Sequence, residues 1–161
     1  MTAKRSYNDY PSWKKFQTYF PEEFRIKEDE EPQEEYWQWT DYDVHIDRYI
    51  PKENNRNIKL ILVHGGGGNG RLLAPIGTAM CSKGFECIAA DMPGFGLTEI
   101  GKPNSYDTWV DLVDALIDRE IAKDGKKVML IGISLGGMLS YHAACRNKHV
   151  VGLMVSSLAE T

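Results

Sequence analysis

At 161 residues, 42% of them apolar, the chain is long enough for one domain with a hydrophobic core. Its net charge of −4 provides no basic footprint for nucleic acid or an anionic membrane, and its four Trp and eight Tyr argue against disorder. The opening MTAKRSYNDY lacks the apolar core of a signal peptide, and no run approaches the roughly 20 apolar residues of a membrane span, so a soluble cytoplasmic protein is expected.

The first third is aromatic and charged. Trp13, Phe16, Phe20 and Phe24 recur at near-helical spacing, which suggests a stripe docked on its own domain, and Pro21 interrupts any single helix. The acidic stretch 28–35, with Pro32 inside it, reads as an exposed loop. Residues 36–50 then alternate as two short strands or a hairpin, with Tyr42, Val44, Ile46 and Arg48 on one face and Asp43, His45 and Asp47 on the other. PKENNRN, residues 51–57, is a turn.

From Ile58 the rhythm becomes strand, glycine turn, helix. Residues 59–63 (KLILV) form a buried strand that breaks at the glycines of 65–70. A helix over 72–82 is closed by Gly84, and a strand over 86–90 runs into Asp91-Met92-Pro93-Gly94. Residues 108–123 place Trp109, Leu112, Val113, Leu116, Ile117 and Ile121 on one helical face, with Asp107 as the expected cap. A strand over 128–131, a helix over 136–146 and a strand over 150–156 complete the pattern. Apolar strands alternating with helices predict an α/β fold, a mostly parallel sheet covered on both faces. Cys81, Cys87 and Cys145 have neither CxxC nor metal-ligand spacing and sit in apolar elements, so they read as buried reduced thiols. No metal or cofactor is expected.

Gly132-Ile133-Ser134-Leu135-Gly136 lies between the strand VMLI and the helix that follows. A serine in a sharp strand-to-helix turn has its hydroxyl raised over the carboxyl end of the sheet, and flanking glycines let the two backbones approach. The helix also points its partly positive amino terminus at the site. Ser134 is therefore the candidate nucleophile. His64-Gly65-Gly66-Gly67-Gly68 ends the strand KLILV, and a glycine run there supplies backbone N–H donors for an oxyanion. Gly66 and Leu135 are the expected donors, with Gly67 the alternative to Gly66, and His64 is expected to shape the loop. The run 65–70 also satisfies G-x-G-x-x-G, with Asp91 closing the next strand, which mimics a dinucleotide fingerprint. Four consecutive glycines meet almost any glycine pattern, the separation of Asp91 from the loop is somewhat long, and Asp91 is followed by Pro93-Gly94-Phe95-Gly96, which makes a tight turn. No Lys-Ser or Lys-Thr follows the glycines, which excludes a P-loop.

HGGGG at 64–68, DMPGFG at 91–96 and GISLGG at 132–137 together resemble the α/β-hydrolase superfamily, in order and spacing, over about residues 36–160. The resemblance implies an oxyanion loop, a D-x-P-G-x-G turn and a nucleophile elbow, and a serine-type esterase, lipase, thioesterase, peptidase or carbon–carbon hydrolase acting on a small acyl substrate. Residues 1–35 read as an aromatic and acidic extension, and residues 36–161 as the amino-terminal part of the core domain. The family order is nucleophile, acid, histidine. Here no acid lies between Ser134 and His142 or His149, and no histidine follows Glu160. His142 lies two turns along the helix leaving the elbow and His149 beyond its far end, so both read as structural. The chain is thus expected to stop after about the sixth strand, to be inactive alone, and to expose an apolar last strand through which it associates. Two rival functions remain at this stage: a non-catalytic hydrolase-like binding scaffold, and a dinucleotide-binding oxidoreductase domain.

Overall fold

The computed structural model describes residues 4–53, 56–99 and 104–157. Residues 54–55 of the expected turn, and Glu160, lie outside them. The apolar runs become one six-stranded sheet: β1 (Gln33–Trp39), β2 (Tyr42–Tyr49), β3 (Ile58–Val63), β4 (Cys87–Ala90), β5 (Lys127–Ile133) and β6 (Val150–Ser156), in the order β1-β2-β4-β3-β5-β6. β1 and β2 form the expected hairpin, and β2 runs antiparallel to β4. The four strands from β4 to β6 are mutually parallel. Four helices, α1 (Pro11–Gln17), α2 (Ala74–Cys81), α3 (Tyr106–Asp124) and α4 (Leu135–Arg146), accompany the sheet among the described residues.

The period of two along each strand divides the core into two clusters, as a sheet covered on both faces requires. Val44, Ile46, Ile61, Val63, Ile88, Ala90, Val128 and Leu130 face α3 and α4, where they meet Val110, Leu112, Val113, Leu116, Ile117, Leu139 and Ala143. Leu60, Leu62, Cys87, Ala89 and Ile131 face the other way, onto Leu73 and Ala74 and onto Tyr7 and Trp13 of the amino-terminal segment. The aromatic stripe is thereby split. Trp13 is buried and Phe20 half-buried, whereas Phe16 and Phe24 remain exposed, because α1 stops at Gln17 before Pro21 is reached.

Three local expectations are corrected. Ser105 caps α3, accepting from the Thr108 N–H; Asp107 lies inside the first turn. A serine hydroxyl on extended backbone reaches that amide, whereas a side chain already within the helix does not. The acidic stretch 28–35 is an exposed turn only at its start, around Glu28 and Asp29: β1 begins at Gln33, and Glu34 and Glu35 carry buried or half-buried ion pairs. Part of the polar face of β2 is covered as well: His45 and Asp47 have no solvent exposure, whereas Asp43 stays exposed. Of the cysteines, all free, only Cys87 is buried; Cys81 is half-buried and Cys145 exposed, because its helix turns that side to solvent.

Candidate active site

β3 and β5 are parallel neighbours with Val63 opposite Gly132. Chain leaving the two strands therefore emerges level, at the carboxyl end of the sheet where open α/β sheets place their ligand crevices. From β5 the chain turns at once into α4 through Ser134, whose backbone sits at φ 54° and ψ −122°. For a residue with a Cβ such a conformation costs on the order of 1–3 kcal/mol and persists only when its surroundings enforce it. Here the Ser134 N–H donates to the Ser156 carbonyl at 2.8 Å, and its carbonyl accepts from Gly137 at 2.8 Å. The two flanking glycines are required by the same geometry. A Cβ on Gly132 would strike the Gly136 carbonyl, and one on Gly136 would strike the carbonyls of Val63 and His64. The outcome is an exposed serine at the head of a 12-residue helix.

The glycine loop lies against this elbow. A Cβ built on Gly65 would stand 3.2 Å from the Ile133 carbonyl oxygen and 3.3 Å from the Ser134 Cβ. One on Gly66 would stand 3.5 Å from Leu135 Cδ2. The three residues singled out in the sequence, Ser134, Gly66 and Leu135, thus meet at one end of the sheet. As the first residue of α4, Leu135 has its N–H outside the helix's own hydrogen bonds. Gly67, at φ 76° with nothing within 4 Å of a built Cβ, faces outward.

His64 is committed elsewhere. Its Nε2 accepts from the Met92 N–H at 3.0 Å, so the proton resides on Nδ1, which donates to the Gly65 carbonyl at 2.8 Å. Burial pushes its pKa below the usual histidine value and keeps it neutral. Asp91 anchors the far end of the loop: Oδ1 accepts from Gly70 N–H at 2.6 Å, and Oδ2 from Leu97 N–H at 2.7 Å and from the Tyr7 hydroxyl at 2.7 Å. Burial opposes its charge, but the neighbouring His45 and these donors outweigh it and hold its pKa low. With no solvent exposure and three donors already in place, Asp91 is not open to a ribose, which removes the support for a dinucleotide site.

Arg71, which follows Gly70 in the chain, is also fully buried. It grips Asp47 with Nε and Nη2 at 2.7 and 2.8 Å, and reaches Glu31, Glu34 and Asn8. His45 lies in the same cluster, with Nδ1 3.3 Å from Asp91 and Nε2 3.4 Å from Glu34. Burial disfavours its charge, but Asp91, Glu34 and Asp47 overcome that and push its pKa up to about 9. Glu34, His45 and Asp47 bring ligand atoms within 4.8 Å of one another. Arg71 donates to both carboxylates, and its charge together with that of protonated His45 offsets their two charges, so the cluster is an ion-pair network and not a cation cage. Sequence reading missed this network. The signals available were two ionisable residues on the second face of a strand and an arginine directly after the glycines.

His142 and His149 are exposed, the former edge-on to Tyr106 and Tyr141. A cavity of about 630 Å³ lined by Tyr49, Ile50, Thr78 and Cys81 opens where β2 ends. Tyr49 pairs with Cys87 at the start of β4, so this cavity lies at the opposite end of the sheet from Ser134.

Residues 59–160 match the α/β hydrolase fold family. The protein phosphatase methylesterase 1 of Homo sapiens is 27% identical over 140 residues, covering 76% of this chain and 36% of its own. A pimeloyl-[acyl-carrier protein] methyl ester esterase of Legionella pneumophila is 30% identical over 113 residues, covering 70% of this chain and 41% of its own. Among solved structures, a thermostable carboxyl esterase from Bacillus coagulans superposes with a TM-score of 0.65 at 25% identity, covering 76% of this chain and 43% of that one. The chain spans less than half the length of these relatives. No helix among the described residues is long and apolar enough to cross a membrane. A match over most of the sheet, together with a strand order and elbow that agree with it, places the chain in the α/β hydrolase fold family.

Proposed function

We propose that the chain carries the nucleophile and oxyanion hole of a serine hydrolase that cleaves an ester-like bond in a small acyl substrate. The observation that carries this reading is Ser134 itself, exposed at φ 54° and ψ −122° beside the glycine loop. The Ser134 hydroxyl attacks the carbonyl carbon, and the Gly66 and Leu135 amides stabilise the resulting oxyanion. The oxyanion then collapses, the alcohol leaves with the proton taken from the serine by the general base, and water attacks the acyl-serine to release the acid and restore the Ser134 hydroxyl. Ester chemistry is supported by the relatives, two of which are named as methyl esterases and one as a carboxyl esterase.

The general base is assigned outside these 161 residues. Both nitrogens of His64 are bonded, to the Gly65 carbonyl and the Met92 N–H, and His45 is enclosed by carboxylates. His142 and His149 belong to the far part of α4 and the turn after it. The chain alone is therefore expected to turn over esters negligibly, since losing the base of such a unit costs on the order of 10⁶ in kcat.

The test joins residues 1–161 to a segment bearing the acid and histidine and measures hydrolysis of small aryl esters. Ser134→Ala should abolish it; retained turnover refutes the nucleophile. Ser134-dependent turnover by the 161-residue chain alone would refute the external base. A second reading, a hydrolase-like binding scaffold, draws on the same lack of an available base. It predicts no covalent labelling of Ser134 by serine-directed phosphonates even in the joined polypeptide.

A further inference from the structure

We infer that Tyr7, from the amino-terminal segment outside the family match, is a positioning residue for the glycine loop and acts on it through Asp91. The inference rests on reading that loop as the oxyanion loop. Asp91 closes β4 and holds two stretches at once: Gly70, where the glycine run ends, and Leu97, where the turn after Asp91 ends. Its Oδ2 takes a third donor, the Tyr7 hydroxyl, at 2.7 Å. Gly96 is pressed so closely under this bond that a Cβ there would strike both Asp91 Oδ2 and the Tyr7 hydroxyl.

Tyr7 also covers the next anchor. Its ring lies 5.0 Å from the Arg71 guanidinium and edge-on to His45 at 5.1 Å. The segment is itself fastened, since the Tyr7 N–H donates to Glu34 at 3.0 Å and Asn8 accepts from Arg71. The loop is therefore pinned from beneath by a carboxylate that the amino-terminal segment both bonds and shields from water.

The consequence follows from comparing closed and open states. In the closed state Asp91 is dry, and its charge is held by His45 first and then by these donors. When the loop lifts away, water solvates the carboxylate. Removing the Tyr7 hydroxyl weakens only the closed state. A hydrogen bond to a charged group contributes enough to shift such an equilibrium about tenfold. The ring, and the hydrophobic cluster that contains it, stay in place.

The experiment uses the ¹⁵N-labelled 161-residue chain and compares Tyr7→Phe with wild type by amide hydrogen exchange. Tyr10→Phe, at a ring 6.5 Å from Tyr7, is the control. The expected result is exchange about tenfold faster at Gly70, Leu97 and Gly68, with Leu112, Leu116 and Leu130 unchanged. Unchanged loop amides, or loosening spread evenly through the core, would overturn the inference. In the joined polypeptide Tyr7→Phe should lower kcat about tenfold at unchanged KM, and a rise in KM alone would overturn it. If that polypeptide hydrolyses no ester, the functional proposal fails while the exchange result still decides the role of Tyr7.

Discussion

Glu120 offers the sharpest test of how charge is accommodated in this fold. It belongs to α3, its side chain has no solvent exposure, and Arg48 of β2 grips it with Nη1 and Nη2 at 2.9 and 2.7 Å. Lys123 lies 2.9 Å away, Arg119 2.9 Å and the buried Lys59 3.4 Å. Burial opposes the carboxylate charge, but Arg48 and Lys123 more than offset it and hold the pKa at about 2, against the usual 4.5. That difference corresponds to about 3 kcal/mol of stability, present above pH 4.5 and lost as pH falls toward 2, because the unfolded chain takes up the proton first. Glu120→Gln keeps the shape and removes the charge, leaving Arg48 and Lys59 without it. The variant should be about 3 kcal/mol less stable at pH 7, in line with the cost of breaking a buried ion pair. Below pH 4.5 the gap should narrow by about 1.4 kcal/mol per pH unit. Urea denaturation at constant ionic strength, from pH 7 to pH 3, measures both. A gap under 1 kcal/mol at pH 7, or one that does not change with pH, would refute the reasoning.

Ser134→Gly should raise the melting temperature, by about 1 kcal/mol in stability, since glycine adopts φ 54° without strain; a lower melting temperature would show that the elbow is unstrained. Gly136→Ala should cost about 3 kcal/mol or more in urea denaturation, because the added methyl meets the Val63 and His64 carbonyls, and a loss under 1 kcal/mol would contradict that packing. Ser105→Ala should cost about 1 kcal/mol and Asp107→Ala less, and the reverse order would reassign the α3 cap. His45, with its pKa raised to about 9, contributes stability that is complete below pH 6.5 and declines by about 1.4 kcal/mol per unit as pH rises toward 9. His45→Phe should flatten that alkaline decline in a pH series of denaturation curves, and an unaltered slope would place the titrating group elsewhere.

The parallel half of the sheet was legible because each strand is a short apolar run punctuated by glycine, and both signals are local. Residues 59–63 and 150–156 were read almost to the residue. The elbow was legible for the same reason: glycines at 132 and 136 mark backbone approaches that no side chain permits. The amino-terminal third was less transparent. Acidic residues between 28 and 35 look solvated until their partners are known, and those partners lie far away in sequence, Arg48 for Glu35 and Arg71 for Glu34. Periodicity separates the two faces of β2, yet it does not reveal that a charged segment covers the polar one. His45 and Asp47 could be placed on that face from sequence, whereas their burial depends on Arg71 arriving from the end of the glycine loop.

That arrangement gives a physical reason for two motifs of the chain to occur together. On the proposed function the loop after β3 presents amides beside Ser134, and a run of glycines supplies the access but no rigidity, since each adds backbone freedom. Rigidity comes from the turn after β4. Met92 fixes His64 at the start of the loop through its N–H, and Asp91 fixes Gly70 at the end through its carboxylate. The two anchors are consecutive residues, level with the loop because β3 and β4 pair in parallel with Leu62 opposite Ala89. A side chain on Gly70 would come within 2.8 Å of the Ala89 carbonyl, so the loop is seated directly on the strand that carries its anchors. The turn DMPGFG is thus the brace of the loop HGGGG. Arg71, immediately after that loop, extends the brace to β1, β2 and the segment around Asn8 and Glu31.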